Sequence, residues 1–276
     1  MKLTIYHTND IHSHLHEYAR ISKYLAEDRP KLDHPSLYLD IGDHVDLSAP
    51  VTEATMGTKN VELLNKAQCD IATIGNNEGM TISHEALNTL YDDANFEVTC
   101  ANVFDEQGQL PNHISTSLIK VIDGVRILFI AATAPFTPFY RALDWVVTNP
   151  LEAIKDEISA NEGEYDLLII MSHVGVSFDE KLCQEIPEID LILGSHTHHY
   201  FENGEMNNGV LMAAAGKYGN FLGEVTLEIE NKQVVRKEAT IYPVETLPEV
   251  ETDFEAEGKA LLSEPIVDRQ IELPRR

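Results

Sequence analysis

Five short, largely apolar runs, at residues 3–6, 37–41, 71–74, 167–171 and 191–193, are each closely followed by residues of the types that can ligate metals. The blocks that follow are Asp10-Ile11-His12, Gly42-Asp43, Gly75-Asn76-Asn77-Glu78, Ser172-His173 and Gly194-Ser195-His196-Thr197-His198. Apolar runs this short, bounded by turn residues, fit strands buried on both faces of a partly parallel sheet. Strand ends then collect side chains from distant parts of the chain at one edge. Asp-x-His alone is common on surfaces, and Gly-Asp or Gly-Asn alone is usually a turn. The constraint lies in all five blocks occurring in order, each behind a strand.

The donors themselves narrow the chemistry. Asp10 and His12, two residues apart, share a face, and so do His196 and His198; Ser195 in the same block is expected to face away. Gly42 suits a sharp turn, and the Asp43 carboxylate can bridge two cations. Asn76 offers a neutral oxygen and His173 a ring nitrogen. Mixed N/O ligands suit Mn²⁺, Zn²⁺ or Fe, with Mg²⁺, Co²⁺ and Ni²⁺ also admissible. Two such ions about 3.5–4 Å apart generate hydroxide and clamp a phosphate oxygen for in-line attack.

Between the blocks, helical periodicity is expected at 15–27, 61–67, 86–91, 150–160 and 179–185. A hairpin is expected at 118–132, turning on Asp123-Gly124, and a strand-rich stretch at 210–242 with a turn at Asn231-Lys232. This alternation predicts two sheets packed face to face with helices outside. Residues 249–262 are acidic and helix-prone, and 263–276 read as a polar linker. Forty-six acidic against 20 basic residues give a net charge of −26. That field disfavours duplex nucleic acid and anionic membranes as partners. Cys69, Cys100 and Cys183 lack paired spacing and are expected as buried thiols. No segment approaches the length of a membrane span, and Met1 runs straight into the first strand, so a cytoplasmic location is expected.

The order Asp-x-His, Gly-Asp, Gly-Asn, His, Gly-x-His-x-His resembles the calcineurin-like metallophosphoesterase superfamily. The opening His7-Thr8-Asn9-Asp10-Ile11-His12-Ser13-His14-Leu15 is similar to its 5′-nucleotidase branch, which includes UDP-sugar hydrolases and 2′,3′-cyclic phosphodiesterases. The resemblance implies an α/β fold, a four-layer α/β/β/α sandwich of two mixed sheets flanked by helices, over residues 1–262. It implies one metal held by Asp10, His12, Asp43 and His198, and a second by Asp43, Asn76, His173 and His196. The implied substrate is a small nucleotide or other phosphoester. A phosphodiesterase, a nucleotide-sugar or dinucleotide pyrophosphatase, and a weakened nucleotide- or metal-binding protein are the alternatives. It also implies a C-terminal substrate-binding domain beyond 263–276 that this chain does not include.

The third block departs from the family pattern. Family members carry Gly-Asn-His-Glu-Phe-Asp, whose His and Asp form a catalytic dyad; here Asn77 replaces the His and Met80 the Asp. Asn77 is expected to donate a hydrogen bond to phosphate, but it cannot act as a general acid, a role worth ~10²–10⁴ in rate. His14, at the rim of the first block, is the substitute catalytic candidate. His44 and His199 are expected in supporting or exposed positions, and Glu78 either orients a ligand or lies on the surface. Phe136, Phe139, Tyr140 and Trp145 are expected mostly in the core.

Overall fold

The computed structural model describes residues 1–263; all but the first residue of the expected linker lies outside the described residues. Two sheets form the middle of the molecule. The first has seven strands in the order Gln233–Pro243, Phe221–Glu230, Lys2–Thr8, Ser36–Asp40, Ile71–Ala72, Glu97–Thr99, Ile114–Ser115. Its first two pairings are antiparallel and the rest parallel. The second has six, in the order Glu205–Asn207, Val210–Ala213, Leu191–Gly194, Leu167–His173, Val125–Thr133, Ser117–Ile122, antiparallel only at its two edges. Both sheets are therefore mixed.

The layers follow from strand alternation. Leu3, Ile5, Leu39 and Ile41 point from the first sheet onto Phe129, Ile169, Met171 and Leu193 of the second, forming one dry core between them. The opposite faces are covered by helices. Tyr6 and Tyr38 pack under Leu15, Tyr18, Ile21 and Leu25 of the helix Leu15–Asp28. Leu128, Ile130, Leu168 and Ile170 pack under Ile154 of Pro150–Ala160 and Leu182 of Val176–Glu185. These are the four expected layers.

Most local expectations hold. Asp123 and Gly124 have φ of 49° and 81°, and Asn231 and Lys232 of 50° and 65°, so both hairpins turn on two left-handed residues as the strand twist favours. The expected helix at 86–91 runs His84–Leu90 and begins where Ser83 Oγ accepts from Ala86 N at 3.1 Å. That at 61–67 begins earlier, at Thr58–Lys66. All three cysteines are free and buried. Among the described residues no helix is long and apolar enough to cross a membrane.

The acidic 249–262 stretch ends in the helix Phe254–Ser263, which packs against Pro50–Thr55 through buried Gly258. A Cβ there would come within 2.1 Å of Val51 N and 2.4 Å of Pro50 C. Glycine to alanine inside a helix ordinarily stabilises by roughly 1 kcal/mol, whereas overpacking against backbone costs about 1–3 kcal/mol. Gly258→Ala is therefore expected to lower the melting temperature, and a stabilised variant would show that the contact is not a tight one.

Candidate metal centre

The sheet registers bring the donor blocks level. Thr8 pairs with Asp40, Asp40 with Ala72, His173 with Thr133 and Ser172 with Gly194, so the carboxyl ends of the strands stop along one edge of each sheet. The chain then leaves each strand through unusual backbone. Asp10, His12, Asp43, His196 and His198 all have positive φ, between 46° and 72°, a region that non-glycine residues occupy only when the surroundings enforce it. Here they do: Asp10 N donates to Gly42 O (3.0 Å) and His12 N to Asp43 O (2.8 Å). Two glycines make the close approach possible. A Cβ on Gly42 would sit 2.5 Å from Gly75 N, and one on Gly75 would sit 2.1 Å from Asp43 Oδ1.

The result is two clusters of donor atoms, Asp10 with His12 and His198, and Asp43 with His173 and His196. His196 and His198, which spacing places on one face, part company here. His198 Nε2 is 3.6 Å from Asp10 Oδ1 and 3.3 Å from His12 Nε2. Asp43 Oδ2 stands between the clusters, 3.7 Å from His12 Nε2 and 3.3 Å from His173 Nε2. Two buried atoms, His173 Nε2 and Asn76 Oδ1, have no hydrogen-bond partner. Burying such groups unpaired costs about 1–3 kcal/mol each, so the donor set fits divalent cations. The other edges of the donors are already occupied. Asp46 Oδ2 lies 3.3 Å from His12 Nδ1, and His173 Nδ1 donates to Ile41 O at 2.7 Å. Both arrangements leave Nε2 facing the cluster, as metal-binding histidines require.

The expectation for Ser195 is corrected. Its Oγ donates to Asp10 Oδ2 at 2.7 Å and lies 3.0 Å from His173 Nδ1, because the chain turns inward at the strand end instead of continuing. Asn9 Nδ2 and His196 N also donate to Asp10 Oδ2, at 2.8 and 3.0 Å. That oxygen is saturated, and Oδ1 is the one presented to the cluster. Glu78 is resolved in favour of orientation. It is buried and accepts from Asp43 N (3.1 Å), Val45 N (2.9 Å) and Gly75 N (2.8 Å), pinning two donor loops at once.

Asn77 N donates to Asp43 Oδ1 at 2.7 Å, while its side-chain amide donates to Val45 O and lies 3.1 Å from His12 Nδ1. A phosphate contact from that amide therefore requires it to leave these partners. His14 belongs to neither donor cluster; its ring stacks on Tyr218 with centroids 4.2 Å apart. His44 is buried beside Asn60 and Tyr18, and burial lowers its pKa to about 3, so it stays neutral. His199 is half-buried, with Nδ1 2.8 Å from Thr197 Oγ1. Tyr140 and Trp145 are core residues, whereas Phe136 and Phe139 are exposed, Phe136 lying 5.4 Å from the His196 ring. Gly79, where the family pattern has Phe, lies under Tyr140, whose ring would meet a Cβ at 2.2 Å. Asn9, Ser195 and Asp46 were missed from sequence, since a supporting polar residue carries no signature until its partner is placed.

The carboxylates favour protons on two of the clustered histidines. Burial opposes charge on His12, but Asp10, Asp46 and Asp43 outweigh it and raise its pKa to about 10. His173 is raised to about 10 in the same way, against burial, by Asp43 and Asp10. Both rings are thus protonated at pH 7 without metal and would have to lose those protons to hold an ion. Metal uptake at pH 7 is expected to release protons and to tighten as pH rises. Titration calorimetry in buffers of different ionisation enthalpy checks this; a heat independent of buffer would contradict it.

Residues 3–200 match the family model described as calcineurin-like phosphoesterase. The chain is 43% identical over 271 residues to the uncharacterized metallophosphoesterase YunD of Bacillus subtilis, covering 95% of this chain and 57% of that protein. It is 27% identical to the trifunctional nucleotide phosphoesterase protein YfkN of the same organism, over 85% of this chain and 18% of that one. Among solved structures, a 5′-nucleotidase precursor from Thermus thermophilus superposes with a TM-score of 0.79 at 19% identity, covering 95% of this chain and 58% of the other. The chain thus spans just over half the length of YunD. With the matched region covering most of the sequence and all five donor blocks, the chain belongs to the calcineurin-like phosphoesterase family.

Proposed function

We propose that this chain is a two-metal phosphoester hydrolase of the 5′-nucleotidase kind, acting on a nucleotide or similar small phosphoester, with residues 1–262 as its catalytic unit. The observation that carries this reading is the pair of donor clusters with Asp43 Oδ2 standing between them, and with Asn76 Oδ1 buried beside them without a hydrogen-bond partner. One ion would be held by Asp10, His12, Asp43 and His198, the other by Asp43, Asn76, His173 and His196. The imidazoles favour Mn²⁺, Zn²⁺ or Fe. Bound there, the pair would lower the pKa of water and polarise a phosphate oxygen. The substrate class draws support from the names of the relatives, among them 5′-nucleotidases of Bos taurus and Diplobatis ommata.

The protein's own part is positioning. Asn9 and Ser195 aim Asp10, Asp46 aims His12, Ile41 O aims His173, and Glu78 fixes the loops of Asp43 and Asn76. No histidine follows Asn76, and Asn77 cannot protonate a leaving group. Esters with good leaving groups are therefore the favoured substrates. Purified protein loaded with Mn²⁺ should hydrolyse p-nitrophenyl phosphate faster than bis-p-nitrophenyl phosphate and should release phosphate from nucleoside monophosphates. The reverse ratio supports a phosphodiesterase. No turnover with two ions bound, across Mn²⁺, Zn²⁺, Co²⁺ and Ni²⁺, sinks the enzyme reading and leaves a nucleotide- or metal-binding protein.

A further inference from the structure

The helix Val176–Glu185 begins shortly after His173, and its first turn lies against the loop that carries His196 and His198. Asp179, in that turn, is 1% exposed, and neither of its carboxyl oxygens has a hydrogen-bond partner among the described residues. The helix dipole favours an acid in a first turn, but that benefit is equally available at the surface. Burying polar atoms unpaired is costly, and the hydrophobic core gives no reason for it here.

A second unpaired group faces it. Gly194 ends its strand without a side chain, and the point where a Cβ would stand is 2.5 Å from Asp179 Oδ2 and 3.2 Å from His199 Nε2. That nitrogen is also buried and without a partner. The other side of the ring decides which nitrogen carries the hydrogen. Val176 N donates to Thr197 Oγ1 at 3.1 Å, which leaves the hydroxyl hydrogen to point at His199 Nδ1, 2.8 Å away. Nδ1 then accepts, so the neutral ring bears its hydrogen on Nε2, towards the carboxyl. Burial pushes the Asp179 carboxyl well above the usual carboxylate range. With or without its proton, the group keeps an acceptor oxygen.

We propose that Asp179 is a positioning residue for the metal centre, which takes a hydrogen bond from His199 Nε2 across Gly194 and so ties the loop of His196 and His198 to the helix that follows His173. Rotation of the Asp179 side chain closes this bond without moving either backbone. The assignment rests on the two-metal reading above. It adds a link between the two segments that supply His173, His196 and His198, none of which Asp179 is required to touch.

The test is calorimetric titration of the full chain with Mn²⁺, with hydrogen exchange of the 195–199 amides followed in the same proteins. Asp179→Leu is expected to lower Mn²⁺ affinity about 10-fold, the scale on which groups that orient metal ligands act. It should also speed exchange in the loop. Its melting temperature should stay close to that of wild type, because apolar atoms replace two unpaired oxygens. Asp179→Asn keeps an acceptor oxygen and should hold affinity within about 2-fold of wild type. His199→Phe should match Asp179→Leu, and the double variant should lose no more than either alone. Unchanged affinity and exchange in Asp179→Leu would overturn the proposal. So would an equal loss in Asp179→Asn, additive losses in the double variant, or a lowered melting temperature with affinity intact. Failure of the two-metal reading is separately visible, as wild type that takes up no Mn²⁺ while Asp179→Leu still loosens the loop.

Discussion

Asp43→Asn is expected to remove one of two bound metal ions and to reduce kcat/KM by about 10²–10³-fold or more, as losses of charge-stabilising groups at active sites do. The substitution is close to isosteric, so the backbone contact from Asn77 to Oδ1 can persist. What disappears is the negative charge of the oxygen standing between His12 Nε2 and His173 Nε2. Without metal, that carboxylate also offsets the protonated rings of His12 and His173, whose pKa values it helps to raise. Metal-free Asp43→Asn should therefore melt somewhat below metal-free wild type, yet still as a cooperatively folded protein. The two measurements together separate a metal-site effect from unfolding. Two ions bound with normal turnover would refute the bridging role, and a collapsed melting temperature would show that Asp43 acts structurally.

Glu78→Ala acts through a different physical route. Three buried N–H groups, of Asp43, Val45 and Gly75, lose their acceptor at once. Each unsatisfied donor costs about 1–3 kcal/mol, so a total of roughly 3 kcal/mol or more is expected. In a protein of this size that corresponds to about 6–12 °C in melting temperature. Metal affinity should fall too, because the same N–H groups set the positions of the Asp43 and Asn76 loops. Burial, with the Asp43 charge adding to it, raises the Glu78 pKa. Glu78→Gln removes the charge but puts an NH₂ among three N–H donors, so it should rescue stability only in part. A Glu78→Ala protein with wild-type melting and metal content would mean that water replaces the carboxylate.

These two residues show where the sequence was legible. Asp43 could be singled out directly, since a carboxylate after glycine at the end of an apolar run is a candidate donor by chemistry and position together, and the structure brings it together with His173 and His196. Glu78 could not. Its acceptors' partners lie at residues 43, 45 and 75, and only the parallel pairing of Ser36–Asp40 with Ile71–Ala72 brings those loops within reach of one side chain. Ser195 was read in the wrong direction for the same reason. An i, i+2 rule assumes that the strand continues, and at Gly194 it stops.

The sequence by itself determined the fold class and the inventory of candidate donors. Buried parallel strands must be apolar on both faces, which writes them as unbroken runs, and metal donors are few in kind and recognisable at their ends. Tertiary structure alone decided which candidate donors come together, and that Asn9, Ser195, Asp46 and Glu78 hold them there. These are contacts between residues far apart in the chain, made through left-handed backbone at five of the donors. That conformation depends on what the neighbouring loops enforce, and the local sequence carries no mark of it.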